Sequence, residues 1–541
     1  MSEEQAKRTG AKVDAAVDEE GGAPKSTSFG RFIRDVGLIA LLLGGGVFAY
    51  RNHVTTKEQV DEITLKARDK MKKNDLPSLQ EAEKLFDEIL KLDADNGSAL
   101  AWQGLGYYYQ SEYGLPTKEK AKQFAQQARA ENTESPALIA LDAYLQIREG
   151  NPTAAEKEVR ALLEKDIGAS MLAHALGWSL AESGQFLEGD RIMRQAQETD
   201  FSAVYFRLTL AEVAHKEGNE KDAIKTLDGV IRDNMNPGHA LARAWLAALR
   251  LKNYGNLTGP ANHIKAVTDA GEQGPRTKAI LAWAEGELAL AVGNADGALA
   301  KADEVLGILT DYPPAYDLKA RALLANKKGK EAMELYEKAV GLKPEYKSIK
   351  WDLARLKSEQ KDDGALALIQ QLEATAPEKG PEFEIFRGDH YLRKGKLTEA
   401  KEAYTKAADL GDDAAILFGF AKVTFEEEKA KGKKADIEKV GEALQTTLEK
   451  RSTYPEVHQF LGDISLWNFM IDGASAEYEQ AEQQYKKQKK PITQLVKFYD
   501  TVIKEFDTTD EKSIKKDAQK KAEDWKKKKA DYLASVVSEQ G

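Results

Sequence analysis

Cysteine is absent from the 541-residue chain. Its absence excludes disulfides, thiolate nucleophiles and zinc sites built on cysteine. Proline is scarce, with 15 residues, and Ala, Leu, Glu and Lys are frequent, so the composition disfavours an all-β sandwich and favours helix. A strong excess of either charge is also missing, because 79 basic and 89 acidic side chains leave a net charge of −10. A strongly basic nucleic-acid-binding protein is therefore not expected.

Long apolar runs are nearly absent too, and a single stretch stands out. Residues 36–50 are 15 uncharged residues, which as a helix span about 22 Å of a hydrocarbon core of about 30 Å. With its flanks this run predicts a transmembrane or signal-anchor helix over residues 31–52, preceded by a disordered tail over residues 1–30. A secretory signal cleaved after Ala49 and a buried helix of the folded domain are the alternatives. We expect a single-pass protein of a bacterial inner membrane, with its large domain in the periplasm.

The remainder of the chain repeats a helical pattern. A small residue is followed by larger ones four and seven positions later, as one stripe of a helix requires. The small residue allows a neighbouring helix to approach closely. Further small residues, such as Gly106 and Gly177, lie about 12 positions upstream in a second helical pattern, and turn signals such as Gly184-Gln185 and Gly218-Asn219 separate the two. The pattern begins at Ala82, Ala121, Ala155, Gly189, Ala223, Ala298, Ala332, Ala365 and Ala400.

This pattern resembles the tetratricopeptide repeat family, and the resemblance covers residues 57–485. It implies an all-α fold, a right-handed superhelical solenoid of about 10–12 antiparallel helix pairs with a concave groove. Residues 491–541 are expected to form lysine-rich capping helices. Nine lysines lie between positions 512 and 529, so a basic helix that meets anionic lipid or an acidic partner is the alternative.

Residue constellations for catalysis are not apparent. The 7 histidines are scattered without a close metal-binding pair, and no motif surrounds a serine nucleophile. We therefore expect no enzyme activity, no metal, no cofactor and no small-molecule substrate. In some members of the family, basic and asparagine side chains at given repeat positions hold a peptide carboxylate. Here those positions carry residues such as Gln103 and Tyr107, so that mode of binding is disfavoured.

Aromatic residues recur at one position of successive repeats, which the resemblance places on the concave wall. Two interpretations are open: the rings pack between helices, or they line a groove for an extended peptide or partner helix. The predicted partner-binding residues are Tyr107, Tyr144, His174, Trp178, Tyr205 and Trp283.

These observations predict a membrane-anchored, non-catalytic scaffold. It would bind proteins or peptides in the groove and the membrane through residues 31–52, and would take no nucleic acid. A bacterial envelope assembly for motility, pili, secretion or wall building would be its setting. The alternatives are an organelle import receptor with cytosolic repeats, and a soluble exported repeat protein released by signal cleavage.

Overall fold

The computed structural model describes residues 56–538, apart from residues 132–133, 164–168, 200–203, 233–235, 272–273, 377–378 and 433–435. The chain divides into two compact units, Met1–Glu62 and Ile63–Gly541. Of the first unit, the structure describes residues 56–62, which are helical. The second unit contains the repeats and the candidate site.

The regular structure of the described residues is entirely α-helical. Helix α1 covers residues 56–73. The helices that follow are α2 Leu76–Leu92, α3 Gly97–Glu112, α4 Lys118–Ala130, α5 Pro136–Arg148, α6 Pro152–Leu163, α7 Ala169–Glu182, α8 Phe186–Thr199, α9 Val204–Lys216, α10 Glu220–Arg232, α11 Ala240–Asn253, α12 Thr258–Asp269, α13 Pro275–Ala291, α14 Ala295–Ile308, α15 Pro313–Ala325, α16 Gly329–Leu342, α17 Lys347–Glu359, α18 Gly364–Ala374, α19 Glu382–Arg393, α20 Leu397–Leu410, α21 Ala414–Lys429, α22 Ile437–Lys450, α23 Pro455–Trp467, α24 Ile471–Lys487, α25 Ile492–Asp507 and α26 Lys515–Ser538.

Each odd-numbered helix packs against the even-numbered helix that follows it, from α3 and α4 to α25 and α26. An ion pair between Lys70 and Glu81 connects α1 with α2. The expected solenoid of helix pairs is therefore confirmed. The predicted turns are confirmed as well, since Gly184 and Gly218 adopt φ angles of 89° and 81° between the two helices of a pair. Glycine populates this left-handed region without the steric cost that a Cβ brings.

The small residues of the repeat lie at helix contacts, as the sequence pattern predicts. A Cβ added to Gly177 on α7 would lie 2.7 Å from the carbonyl oxygen of Gly189 on α8. The two backbones are therefore in direct contact, and any side chain would separate the helices. The alanines at this repeat position are fully buried: Ala82, Ala121, Ala155, Ala223, Ala298, Ala332, Ala365 and Ala400.

The inner face of the solenoid is covered by its own chain. The backbone N–H of Arg276 donates to the carbonyl of Tyr113 over 3.0 Å, and Nε2 of His239 bonds the carbonyl of Asn74 over 3.0 Å. The reason lies in helices such as α9, which are buried on every face. In α9 every side chain from Val204 to His215 is buried, and a helix of this kind requires neighbours all round.

Helices α25 and α26 form the last pair. Ala518, Ala522 and Trp525 are buried against α24 and α25, and the lysines of α26 are exposed or half-buried. Several of these lysines pair with carboxylates, as Lys529 does with Asp500 over 2.6 Å. Because the apolar residues of α26 share one face, the helix covers the end of the repeat core.

The predicted membrane localisation is corrected. Within the described parts of the chain, none of the helices has both the length and the apolar character needed to cross a bilayer. The predicted anchor over residues 31–52 and the predicted tail over residues 1–30 lie outside the described residues. Membrane binding through residues 31–52, and a periplasmic location for the repeats, are therefore not carried further.

Candidate functional site: a charged cavity beside an aromatic cluster

The structure brings four of the six predicted site residues together. Tyr144, His174, Trp178 and Tyr205 pack with Tyr108 in what is called here the aromatic cluster. The ring of Tyr144 lies 5.6 Å from that of Trp178 and 5.4 Å from that of Tyr205 between centroids. Because these residues come from α3, α5, α7 and α9, the cluster joins four successive first helices of the repeats.

The other two predicted residues lie elsewhere. The hydroxyl of Tyr107 donates to Glu83 over 2.9 Å, and its ring packs on Phe124 between α3 and α4. Trp283 on α13 donates from Nε1 to Glu287 over 3.0 Å. Its ring lies 5.8 Å from that of Tyr312, beside the cavity described below.

All six predicted residues are buried, and the most exposed of them, Tyr107, retains 6% of its surface. Inside the aromatic cluster the polar atoms are paired, since Tyr144 bonds Nδ1 of His174 over 2.9 Å and Tyr108 bonds Tyr205 over 3.1 Å. Burial lowers the pKa of His174 to about 3, so the imidazole is neutral. The expectation of an open aromatic groove is corrected, because the inner side of these helices is occupied. Packing between helices, the other interpretation, describes these rings.

An ionic cluster lies next to the rings and was not predicted from the sequence. Arg148, at the end of α5, bonds Glu212 on α9 and Glu112 on α3, both over 2.6 Å. Arg276 on α13 reaches the same two carboxylates over 3.1 Å and 3.3 Å. Lys216 pairs with Glu182 over 2.7 Å. These six residues, Glu112, Arg148, Glu182, Glu212, Lys216 and Arg276, form the ionic cluster.

Mutual neutralisation keeps the ionic cluster charged despite its burial. Burial alone would raise the pKa of Glu212, but the charges of Arg148 and Lys216 outweigh it and hold the pKa well below its usual value. The guanidinium of Arg148 also lies over the ring of Trp178, with 4.7 Å to the centroid. Three cations and three carboxylates cancel, which is the condition under which buried charges are tolerated. Arg148 therefore connects the ionic cluster to the aromatic cluster.

A cavity of about 450 Å³ opens beside the ionic cluster. Its size lies in the range of about 300–1,000 Å³ that is common for ligand sites. Helices α3, α5, α9, α11 and α13 contribute to its wall, together with the loops that precede α15 and α17. The lining residues are Ser111, Glu112, Gly114, Arg148, Glu212, Lys216, Trp245, Arg276, Ile280, Ile308, Leu309, Thr310, Asp311, Tyr312, Pro313, Lys343, Glu345 and Tyr346.

Two phenol groups at the cavity are held in their protonated form. Burial raises the pKa of both Tyr312 and Tyr346, and the nearby carboxylate of Glu212 raises both further. Neither hydroxyl has a hydrogen-bond partner among the described residues. Trp245 in the same wall is 4% exposed, and its Nε1 is likewise without an acceptor in the described part of the chain. The cavity thus presents two hydroxyl donors beside the ionic cluster, in which positive and negative side chains are equal in number.

A signal for the ionic cluster was present in the sequence. Glu212 is the one acidic residue in the mostly apolar stretch VYFRLTLAEVAH of α9. A carboxylate on a helix that is buried all round must find a partner. The partners Arg148 and Arg276 lie 64 residues away on either side, so repeat spacing could not identify them.

Metal binding has no support in the described residues. No group of three or more His, Asp or Glu side chains among them has a geometry that could hold a metal ion. The histidines that the structure describes in the interior bond protein groups instead, as His215 does through Nδ1 to Glu220 over 2.9 Å.

The fold is that of a solenoid of tetratricopeptide-like helix pairs. No family model matches the chain, and no curated protein matches it. Solved structures are similar in fold. The human IFIT1 dimer with PPP-AAAA has 16% identity and a TM-score of 0.39, over 72% of this chain and 95% of that one. The Cut9–Hcn1 hetero-tetramer of the APC/C has 13% identity and a TM-score of 0.41, over 87% and 98%. A tetratricopeptide repeat protein from Parabacteroides merdae has 15% identity and a TM-score of 0.29, over 54% and 99%.

The exclusion of nucleic acid as a partner is corrected. The IFIT1 structures were solved with PPP-AAAA and with m7Gppp-AAAA. The acidic composition led to the exclusion, yet net charge describes a whole chain and not one cavity in it.

Proposed function

We propose that this protein is a non-catalytic scaffold that takes a segment of a partner protein into the cavity. The observation that carries the proposal is the cavity itself, whose walls come from helices far apart in sequence and are held by the ionic cluster. A preorganised site of this kind binds without the cost of ordering its own side chains. Of the six residues predicted as the site, Tyr144, His174, Trp178, Tyr205 and Trp283 enter the proposal as buried support beside the wall. Tyr107 packs elsewhere, between α3 and α4.

The composition of the wall favours binding over catalysis. Among the described lining residues there is no histidine, and Ser111 donates its hydroxyl to the carbonyl of Tyr108 over 2.6 Å. A serine–histidine pair is therefore missing from the described lining. The carboxylates of Glu112 and Glu212 bond the guanidinium groups of Arg148 and Arg276. The envelope assembly expected from the sequence depended on the anchor and is not part of this proposal.

Closing the mouth of the cavity tests the proposal. Ile308 lies at the mouth with 38% of its surface exposed, so Ile308→Trp adds volume there without disturbing the core. A displayed library of random 12-residue peptides serves as the probe. Enriched peptides should bind Ile308→Trp at least about tenfold more weakly, which corresponds to a loss of about 1.4 kcal/mol.

Leu187→Trp is the matched control, because Leu187 on α8 is 57% exposed and lies away from the cavity. It should bind the same peptides as the native chain does. Two results would contradict the proposal: peptides that bind Ile308→Trp as well as they bind the native chain, or a selection that enriches no peptide above the empty-display background.

A further inference from the structure

We infer that the cavity recognises an uncharged, extended peptide segment whose backbone carbonyls accept hydrogen bonds from Tyr312 and Tyr346 and whose apolar side chain fills the space between them and Ile280. This inference rests on the proposed function and names the chemistry of its ligand. It depends on three features of the wall, which are the unpaired hydroxyls, the balanced charges and the apolar patch.

The two hydroxyls determine which hydrogen-bonding groups a ligand must carry. Tyr312 begins the first turn of α15, and Tyr346 directly precedes α17, so the two rings reach the cavity from adjacent loops. Both groups stay protonated and are unpaired among the described residues, so they act as donors. A ligand that bonds both must offer acceptors, and successive carbonyls of an extended chain do so.

The charges decide between neutral and anionic acceptors. The buried cations that face the cavity are already paired, since Arg148 and Arg276 share the carboxylates of Glu112 and Glu212. Lys343, Asp311 and Glu345 also line the cavity, and none of them has an ion pair among the described residues. A phosphate or a carboxylate on the ligand would therefore meet two unpaired carboxylates and one unpaired ammonium group. Burying a further charge without a partner is costly. A neutral carbonyl meets the same donors without that cost.

The apolar part of the wall gives a place for one side chain. Ile280, Leu309 and Pro313 lie in the lining together with the ring of Trp245. An aliphatic side chain or a proline would be removed from water there, and this burial of apolar surface favours binding. The free energy of binding would then come from this contact, and the hydroxyls would set the direction of the chain.

Fluorine NMR on the intact chain labelled with 5-fluorotryptophan tests the inference. The chain has 7 tryptophans, and the signal of Trp245 is assigned by its loss in Trp245→Phe. The first probe is a pool of acetylated and amidated tetrapeptides with Ala, Val, Leu, Ile or Pro at the two central positions. The second is the same pool with a terminal Glu, and the third is a 5′-triphosphorylated tetraadenylate.

The neutral pool should shift the Trp245 signal in a saturable manner, and the Glu pool should bind at least about tenfold more weakly. Combining Tyr312→Phe with Tyr346→Phe should weaken the neutral peptides about tenfold, as the loss of two neutral hydrogen bonds predicts. Tyr254→Phe is the control, because Tyr254 is 39% exposed and lies outside the lining. It should leave the affinity unchanged.

Three outcomes would overturn the inference. These are tighter binding of the Glu pool or of the triphosphate, unchanged affinity in the double Phe variant, and a Trp245 signal that no probe moves. The proposed function can survive any of these outcomes. If displayed peptides bind the native chain and Ile308→Trp weakens them, the cavity is still a site for a partner segment, but one with a different ligand chemistry.

Discussion

The aromatic cluster and the cavity lie on either side of Arg148, and both are built from the first helices of the repeats. The aromatic cluster is closed, because rings of Tyr144, Trp178 and Tyr205 fill it and pair their polar atoms with one another. The cavity stays open, because its wall includes charged side chains that are occupied by ion pairs. The rings that recur at one repeat position thus belong to the core, whereas the cavity lies beside charged side chains from helices far apart in sequence. Four measurements, from the largest expected effect to the smallest, can break or sharpen this contrast.

Trp178→Ala should produce the largest loss of stability. Its side chain is fully buried, and truncating a buried aromatic ring costs about 3–5 kcal/mol. Urea unfolding of the native and variant chains measures the difference in unfolding free energy. A loss below about 1 kcal/mol would show that the ring is not core, and the contrast with the cavity would fail.

Arg148→Met should cost about 3 kcal/mol, since it leaves Glu112 and Glu212 with fewer cationic partners in the interior. Methionine keeps apolar contact with Trp178, so the change isolates the charge. Adding Glu212→Gln should restore at least half of the lost stability. If Arg148→Met alone costs less than about 1 kcal/mol, the ionic cluster behaves as exposed pairs do and does not hold the wall.

Acid should weaken the aromatic cluster through His174. Its folded pKa of about 3 lies below the unfolded value of 6.5, so the unfolded chain binds more protons between these values. The stabilisation is complete above pH 6.5 and is lost as pH falls toward 3, by at most about 1.4 kcal/mol per pH unit. We expect about 2 kcal/mol between pH 6.5 and pH 5.

The unfolding free energy measured across that pH range tests this expectation, and His174→Gln should have the shallower slope. The range avoids the protonation of ordinary carboxylates near pH 4. An identical slope in both proteins would mean that His174 titrates alike in the folded and unfolded chains, as an exposed histidine does.

Tyr346→Phe should have the smallest effect on stability, within about 0.5 kcal/mol. Its hydroxyl is unpaired among the described residues, so removal breaks no internal hydrogen bond, whereas the ring remains packed 5.5 Å from that of His215. Thermal unfolding measures the change. A loss above about 1 kcal/mol would assign the hydroxyl to the structure of the wall and not to a ligand.

Most of the fold could be predicted from local pattern. The repeat period, the small residues at Ala223 and Ala332 and the turn at Gly184 all lie where the sequence placed them. The accessibility of the aromatic residues could not be predicted in this way. A repeat position specifies which face of a helix a residue occupies, but Tyr205 is covered by helices from other repeats. The candidate site depends on the same long-range packing, and only the lone carboxylate of Glu212 hinted at it.

Sequence by itself determined the helices, their pairing and the turns between them, because these depend on hydrogen bonds and side-chain contacts within about one repeat. Only the tertiary structure decided that the inner face is occupied and that Glu112, Arg148, Glu212 and Arg276 meet. The physical reason is that each helix pair is rotated slightly relative to its neighbour. The accumulated rotation decides which helices of distant repeats face one another. Such a sum is a property of the whole stack, so no single repeat encodes it.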